Sequence, residues 1–304
     1  MDKESGNSPS APSQTFEYNV ATSRNIGWVT VDEQRQLRNC TVAIAGLGGG
    51  GGVYMLMLAR LGVTRFSIAD FDSFEVHNFN RQAGAFMSTI GRAKVDVMVG
   101  MARDINPDIE VRCFNEGVTP ENVGAFLAGA DVYADGIDFF ALDARRMIFA
   151  KARELGIPAL TAAPLGMGVS LLYFPPTGMS FERYFRVAGH DEDEQYARFI
   201  AGISPAMLQR SYLVAPEAVD FPNHRGPSTG MACEMCAGVM GTSILKVLLN
   251  RGPLRPAPWV MQFDAYRQKY SMTWRPVGNA NPLQWLLLKF IRPRVRGKSQ
   301  PTPD

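Results

Sequence analysis

The sequence has only four cysteines in 304 residues, namely Cys40, Cys113, Cys233 and Cys236. Four cysteines are too few for the disulfide framework of a small secreted protein. Segment 1–14 also lacks the basic start and the apolar stretch of a secretory signal. We therefore expect a reducing, cytoplasmic location.

Long apolar runs and an excess of charge of one sign are lacking as well. No uninterrupted run of ~18 apolar residues occurs, so we expect no ordinary membrane-spanning helix. The formal net charge is +2, which gives no global attraction for DNA, RNA or an anionic membrane. Hydrophobic residues at 46% and charged residues at 20% are typical of a globular protein with a sizeable core.

Short β-rich runs alternate with helical patterns through the first half of the chain. The runs lie at 41–45, 64–70, 109–114, 131–135 and 158–163. This alternation predicts an α/β fold with a doubly wound, Rossmann-like, mainly parallel sheet. A run at 167–174 and alternating residues at 258–274 predict an antiparallel C-terminal extension.

The domain organisation follows from these patterns. We expect a disordered leader at 1–16, one α/β domain at 17–275, and an apolar helix with a basic tail at 276–304. Within the α/β domain, 178–228 is irregular and partly helical, and we interpret it as a variable substrate or crossover region.

A glycine-rich segment directly follows the first predicted strand. Its G-x-G-x-x-G pattern comprises Gly46, Gly48 and Gly51, with Gly49 between them. Such glycines permit a tight turn and let backbone N–H groups approach a phosphate at a helix N-terminus. Asp70 ends the second predicted strand, where a carboxylate can accept hydrogen bonds from ribose hydroxyls. A glycine-rich packing turn is the alternative, but it explains five consecutive glycines poorly because each is costly in conformational entropy.

Polar residues downstream go beyond what NAD or FAD binding requires. Asn78 and Arg81 are three residues apart, and Lys94 begins the next predicted helix. Asp72 follows the second strand, and Asp135 and Asp138 lie at the carboxyl end of the fourth. Carboxyl ends of parallel strands meet at one crevice, so these groups should converge there. Two cations with a free carboxylate suit a triphosphate with Mg²⁺ better than a pyrophosphate diester.

Each of these residues also has a plain structural alternative. Arg81 could form a surface ion pair with Asp72, and Lys94 could be an ordinary solvated helix residue. Asp138 could cap the helix that follows it. The pattern as a whole favours a nucleotide site over these separate explanations.

The motifs "GLGGGGG", "DFDSFEVHNFNRQ", "GRAKV", "INPDIEV" and "DGID" resemble those of the ThiF/MoeB/HesA family in order and spacing. Members of this family are bacterial relatives of the ubiquitin-activating enzymes. The resemblance runs from about residue 24 to 163. It implies a ThiF/MoeB-like fold and ATP-dependent adenylation of a carboxylate.

The resemblance also implies roles for individual residues. The glycines from Gly46 to Gly51 would line the phosphates, and Asp70 would hold the ribose. Three residues would neutralise the phosphates, namely Asn78, Arg81 and Lys94. Asp138 would hold Mg²⁺. Family members are usually homodimers in which an arginine reaches the partner's nucleotide, and Arg24 is the candidate here, although it could equally be an exposed loop arginine.

The cysteines depart from the family pattern. Only one C-x-x-C pair is present, Cys233 to Cys236, so we do not expect the family's four-ligand zinc site. Either thioester chemistry has moved to one of these thiols, or the enzyme stops at adenylation. Near a helix N-terminus a thiol has a lowered pKa and is reactive. A packing role and a redox pair are the alternatives.

Of the possible substrates, the resemblance favours the C-terminal carboxylate of a small ubiquitin-like or sulfur-carrier protein. Alternatives are a small-molecule, peptide or tRNA-borne carboxylate, the last because the motifs also resemble the tRNA threonylcarbamoyladenosine dehydratase branch. An NAD-binding oxidoreductase and a non-catalytic nucleotide sensor also stay open.

The C-terminal segment has an apolar stripe at helical spacing, formed by Leu283, Leu286, Leu287, Phe290 and Ile291. Basic residues lie at and beyond its end, namely Arg292, Arg294, Arg296 and Lys298. Docking onto the protein's own domain or onto a dimer mate is the plain interpretation. Contact with a membrane surface is the alternative.

Overall fold

A computed structural model describes residues 15–296. Eight strands form one sheet in the order β3-β2-β1-β4-β5-β6-β7-β8. The strands are β1 Thr41–Ala45, β2 Arg65–Ala69, β3 Glu110–Phe114, β4 Val132–Asp135, β5 Ala159–Leu165, β6 Gly168–Phe174, β7 Trp259–Asp264 and β8 Lys269–Trp274. Strands β1 to β5 pair in parallel, and β6, β7 and β8 add antiparallel neighbours at one side. The predicted fold class is confirmed.

Helices cover both faces of the sheet. They are α1 Tyr18–Ala21, α2 Val31–Asn39, α3 Gly51–Leu61, α4 Lys94–Ile105, α5 Val123–Leu127, α6 Leu142–Glu154, α7 Phe181–Phe185, α8 Glu192–Ile203, α9 Gly230–Leu248 and α10 Pro282–Val295. One apolar core lies between the sheet and helices α3, α4 and α9. A second, aromatic-rich core lies on the opposite face under α5, α6, α7, α8 and α10.

The chain reverses its direction of progress across the sheet at β1. Strands β2 and β3 lie on one side of β1, and β4 and β5 lie on the other. In an open α/β sheet, ligands bind in the crevice at such a switch point, beyond the carboxyl ends of the strands. The loops after β1, β2 and β4 therefore meet at one place.

Two helices begin at positions other than those expected. The sequence "PENVGAFLAG" predicts a helix from Pro120, but α5 begins at Val123, because the Thr119 N–H donates to Asn122 Oδ1 at 2.8 Å and 119–122 forms a turn instead. The apolar segment 237–249 likewise predicts a helix, but α9 begins earlier, at Gly230, where the Thr229 hydroxyl accepts a hydrogen bond from the Ala232 N–H at 3.4 Å. This longer α9 contains both cysteines of the C-x-x-C pair.

Helix α9 is also long and apolar enough to cross a membrane by length and composition alone. It includes Glu234 and Lys246, so it is not an uninterrupted apolar run. Half of its apolar window is buried inside the protein, where it packs on α3, β5 and β6. The packing is that of a core helix.

Helix α10 docks on α8 through a face that includes only part of the predicted stripe, since Ile291 is buried and Leu287 and Phe290 pack partly buried against the second core. The buried side chains on this face are those of Gln284, Leu288, Ile291 and Val295. Leu283 and Leu286, by contrast, are exposed. Arg292 forms a two-pronged ion pair with the buried Glu194 of α8 at 2.7 Å, which aligns the helix. Lys298 and nearly all of the expected leader lie outside the described residues.

Candidate active site

The glycine segment after β1 divides into a part packed against backbone atoms and a part packed against side chains. Gly46 has φ +80°, and a Cβ on Gly46 or Gly51 would collide with backbone atoms of the glycine loop or of the turn at Gly136. These glycines permit close packing, so the packing explanation is correct for them. Beside Gly48 and Gly49, by contrast, lie side chains from other segments.

Three backbone N–H groups of this second part have no acceptor among the described residues and can bind an anion. Within the described residues, the N–H groups of Gly48, Gly49 and Gly50 donate to no carbonyl or side chain. They directly precede α3, whose N-terminus has no side-chain cap. Free N–H groups and the positive end of a helix dipole together favour a phosphate.

Asp70 joins the glycine loop to the loop after β2. Its Oδ2 accepts from the Leu47 N–H at 2.6 Å, and its Oδ1 accepts from the Asp72 N–H at 2.8 Å. Burial raises the pKa of this carboxyl, although the Leu47 N–H and the Lys94 ammonium oppose the shift. Each carboxylate oxygen retains a second lone pair for a ligand hydroxyl. Asp70 therefore has a structural role in addition to the ribose contact that the sequence predicts.

Lys94 is held in place by Asp72. The Lys94 Nζ lies 2.8 Å from Asp72 Oδ2, and the Lys94 N–H donates to the Asp72 carbonyl at 2.9 Å. The Lys94 side chain is only 6% exposed, whereas that of Asp72 is 52% exposed. Lys94 is therefore not a solvated helix residue, and the partner of Asp72 is Lys94 and not Arg81.

Asn78 builds the turn that presents Arg81. The buried Asn78 accepts from the Glu75 N–H through Oδ1 at 2.9 Å, and its carbonyl accepts from the Arg81 N–H at 3.1 Å. Arg81 Cγ lies 3.5 Å from the position of a Cβ on Gly49. The Arg81 guanidinium donates to the His77 carbonyl and to Asn80 Oδ1, and no carboxylate among the described residues pairs with it. Its charge is therefore available to a ligand.

Asp138 lies in the loop after β4, on the other side of the crevice. Its Oδ1 accepts from the Phe140 N–H at 2.9 Å, and the side chain remains exposed. This contact closes a turn and does not cap the helix that follows, because the N-cap of α6 is Ala141, without a side-chain cap. A buried ion pair fixes this loop. Arg145 Nε lies 2.7 Å from Asp135 Oδ2, and the same guanidinium donates to the carbonyls of Ile137 and Asp138. Sequence reasoning assigned no role to Arg145.

Gln82 is a second residue whose role the sequence did not reveal. It is only 8% exposed, and its Oε1 has no hydrogen-bond partner among the described residues. A buried acceptor without a partner costs about 1–3 kcal/mol. The feature of the sequence that could have indicated a role for Gln82 is its position directly after Arg81, inside the Asn-x-x-Arg-Gln motif.

The two cysteines of α9 do not have the predicted reactivity. Cys233 and Cys236 are both buried, and burial raises the pKa of each thiol. The expectation of lowered pKa values is therefore wrong, because desolvation outweighs the helix N-terminus and the nearby Arg81. The Cys233 Sγ lies against Gly49 and 3.9 Å from Ser228 Oγ, so it packs at the floor of the glycine loop.

This burial predicts a selective pattern of thiol labelling. A thiol with a raised pKa has a smaller thiolate fraction at neutral pH and reacts slowly. Cys113 is the exposed cysteine, whereas Cys40, Cys233 and Cys236 are buried. With Ellman's reagent, the native protein should react at a single thiol, faster as the pH rises above neutrality, because the pKa of Cys113 is also raised by burial.

The control for this labelling is Cys113→Ser, which should remove the fast phase while leaving three thiols that react only in denaturant. Rapid native labelling of Cys113→Ser at neutral pH would show that Cys233 or Cys236 is accessible and reactive.

Arg24 lies away from the crevice of its own chain. It is exposed in the short helix Ser23–Asn25 and makes no ion pair or side-chain hydrogen bond with the described residues. The neighbouring Asn25 Nδ2 donates to the Leu61 carbonyl at the C-terminal end of α3. The 11 residues of α3 span about 16 Å, so Arg24 is far from the glycine loop.

The described residues contain no group of three or more His, Cys, Asp or Glu side chains that could hold a metal ion. Asp138 is thus a single carboxylate rather than part of an acidic cluster.

Comparisons with known proteins agree with this geometry. The sulfur carrier protein ThiS adenylyltransferase of Escherichia coli is 33% identical over 191 residues, covering 63% of this chain and 75% of that protein. The tRNA threonylcarbamoyladenosine dehydratase of Haemophilus influenzae is 31% identical over 135 residues. That match covers 44% of this chain and 52% of the relative, so the chain spans about half of the relative's length.

A solved structure shows the same fold. The E. coli tRNA N6-threonylcarbamoyladenosine dehydratase, TcdA, in complex with ATP has a TM-score of 0.57 at 20% identity, covering 76% of this chain and 95% of that one. The ThiF family model matches residues 22–286. The chain therefore belongs to the ThiF family, as its motifs predicted.

Proposed function

We propose that this protein is an ATP-dependent adenylating enzyme. A substrate carboxylate oxygen attacks the α-phosphorus of ATP, the bond to the β-phosphate oxygen breaks, and acyl-AMP and pyrophosphate form. The observation that supports this most is the position of Arg81 beside Gly49, where among residues 15–296 its guanidinium has no carboxylate partner and three backbone N–H groups have no acceptor. A triphosphate supplies the negative charge that this arrangement lacks.

The chemistry fits the residues because it needs charge neutralisation more than proton transfer. The attacking carboxylate is already ionised at neutral pH, so no general base is required. Its approach to an anionic phosphate is repulsive, and preorganised cations lower that repulsion. Arg81 supplies an uncompensated charge, and Lys94 is oriented by Asp72.

Magnesium would bind at Asp138. Mg²⁺ usually takes one or two carboxylates and completes its shell with waters and substrate phosphates. Asp138 fits this pattern because it is exposed at the crevice and uses only Oδ1 in its turn. The ion would supply charge neutralisation to the phosphates, while Arg145 keeps the loop around Asp138 in place.

Relatives support the reaction class. One is a sulfur carrier protein ThiS adenylyltransferase. Solved structures of similar fold include TcdA bound to ATP and the E. coli protein MccB bound to AMPCPP and MccA. The pyrophosphate diester of NAD would need the unpaired charge of Arg81 less than a triphosphate does.

The acyl substrate that we propose is the C-terminus of a small ubiquitin-like or sulfur-carrier protein. Its support is the similarity to the ThiS adenylyltransferase, which covers more of this chain than the first dehydratase match does. A tRNA-borne carboxylate is the second candidate, favoured by the similarity to the tRNA threonylcarbamoyladenosine dehydratases. We leave a thioester through Cys233 or Cys236 out of the proposal, because both thiols are buried with raised pKa values.

We also propose that the enzyme is a cytoplasmic homodimer. Arg24 is exposed and distant from the crevice of its own chain, so it could act only on the nucleotide of a partner subunit.

Hydroxylamine trapping tests the substrate class. The protein is incubated with Mg·ATP and the low-mass fraction of a host-cell lysate, and hydroxylamine converts any acyl-AMP to a hydroxamate that mass spectrometry identifies. We expect a hydroxamate at a protein C-terminus that disappears when the fraction is first treated with protease. A hydroxamate that survives protease but not ribonuclease would favour the tRNA-borne substrate instead.

A further inference from the structure

The amide of Asn80 joins two segments at the candidate site. Its Oδ1 accepts a hydrogen bond from Arg81 Nη1 at 2.8 Å, and its Nδ2 donates to the Ser228 carbonyl at 2.9 Å. A carboxamide accepts through its oxygen and donates through its nitrogen, so both functions are used here. Asn80 thereby connects Arg81 to the residue at which the variable region 178–228 ends.

The far end of this connection is itself fixed. The Thr229 hydroxyl donates to the Gly166 carbonyl at 2.9 Å, in the turn between β5 and β6. A Cβ on Gly230 would lie 2.8 Å from the Asn80 carbonyl oxygen, so the start of α9 packs directly on the backbone of Asn80. The Ser228 carbonyl is therefore a fixed acceptor, and it holds the Asn80 amide in one orientation.

The contacts of Arg81 leave one edge of its guanidinium to a ligand. Nη1 donates to the His77 carbonyl at 3.0 Å and to Asn80 Oδ1, which uses both hydrogens of this nitrogen. Nε and Nη2 make no hydrogen bond within residues 15–296. An arginine binds two oxygens of a phosphate through such a planar pair of nitrogens. The contacts at Nη1 thus orient the guanidinium without occupying the edge that a phosphate needs.

An asparagine suits this position because its amide is neutral. An aspartate could accept the same hydrogen bond, but its carboxylate would cancel the positive charge of Arg81 and repel a phosphate. An alanine would leave the charge intact but would let the arginine side chain adopt other rotamers, and ordering a long side chain costs free energy. The amide therefore orients the guanidinium and leaves its charge available to a nucleotide.

We propose that Asn80 is a positioning residue for nucleotide binding. It fixes the Arg81 guanidinium against the end of the variable region, so that the Nε and Nη2 edge is presented to a phosphate of ATP. Asn80 acts through Arg81 and not by contact with the ligand. The inference rests on the proposed binding of ATP, and it names the residue that orients the unpaired cation of that site.

Titration calorimetry with ATP and with adenosine tests this role. Adenosine has no phosphate, so its affinity depends on the nucleoside contacts alone. Asn80→Ala should weaken ATP binding about fivefold, the effect of losing one hydrogen bond, and should leave adenosine binding unchanged. Asn80→Asp should weaken ATP binding more than Asn80→Ala does, because the new carboxylate neutralises Arg81. A general structural defect would instead weaken the binding of ATP and adenosine together.

A double-mutant cycle separates action through Arg81 from an independent action of Asn80. In the Arg81→Ala background, Asn80→Ala should cause no further loss of ATP affinity. Asn223→Ala is the matched control, because Asn223 is also exposed and its amide donates to Asp220 at 2.7 Å. This control should bind ATP as the wild type does.

Three results would overturn the inference. Wild-type affinity for ATP in Asn80→Ala would show that Arg81 needs no positioning. Equal weakening of ATP and adenosine would assign Asn80 a structural role. A further loss of ATP affinity in the Arg81→Ala background would show that Asn80 acts independently of Arg81. Failure of the wild type to bind ATP at all would contradict the proposed function itself, and the inference with it.

Discussion

Replacing Arg81 with alanine should lower the rate of adenylation by a factor of about 10²–10³, the usual effect of removing one preorganised donor from a developing charge. The Cγ and Cδ of Arg81 pack beside Gly49, and no carboxylate among the described residues neutralises its guanidinium. Its protein contacts are one carbonyl and one side-chain amide, so the free energy of unfolding should change by only about 0.5 kcal/mol. Turnover is measured by pyrophosphate release, and stability by urea denaturation.

Two further variants test the role of Arg81. Arg81→Lys retains the charge but loses the planar fork, so its rate should be intermediate. Arg103→Ala removes an exposed arginine from α4 and should leave the rate unchanged. Normal turnover in Arg81→Ala would remove this residue from the site.

Replacing Arg145 with methionine should have the largest effect on stability. The Arg145 and Asp135 side chains are 4% and 0% exposed and lie 2.7 Å apart. Without Arg145 the Asp135 carboxylate is buried and unpaired, which typically costs about 3–5 kcal/mol. The carbonyls of Ile137 and Asp138 also lose a donor. Urea denaturation should show this loss as a lower midpoint.

The neighbouring arginine is the natural control for Arg145. Arg146 pairs with Asp143 and Glu182, both substantially exposed. Exposed ion pairs contribute about 0–1 kcal/mol, so Arg146→Met should be nearly neutral. Equal destabilisation by the two substitutions would contradict the assignment of the buried pair.

Because Arg145 also positions the loop of Asp138, the Arg145 variant should lose activity at temperatures where it is still folded.

The parts of the fold that sequence predicts well are those that local patterns determine. Strand β1 occupies 41–45 as predicted, and Gly62 ends α3 with φ +101°. Helix α4 begins at Lys94, as the "GRAKV" motif indicated. The starts of α5 and α9 at Val123 and Gly230 are not evident from the apolar pattern, because they depend on hydrogen bonds of the Asn122 and Thr229 side chains.

Contacts between distant segments account for the rest. Sequence placed Asp70, Asp72 and Lys94 near a nucleotide, but the pairing of Asp72 with Lys94 depends on how the loop after β2 meets α4. The buried face of α6 contains Leu142, Arg145, Ile148 and Ala152, so Arg145 already lay on an apolar stripe. An arginine at such a position indicates a buried partner, although the partner itself is known only from the fold.

Equilibrium exchange between labelled pyrophosphate and ATP tests adenylation most directly. The protein is mixed with Mg·ATP, labelled pyrophosphate and the pooled low-mass fraction of a host-cell lysate. Reversible formation of acyl-AMP should carry label into ATP only when the lysate fraction is present, and Arg81→Ala should abolish the exchange. No exchange by the wild type with any fraction, while it still binds ATP, would contradict adenylation and favour a nucleotide-binding role without this chemistry.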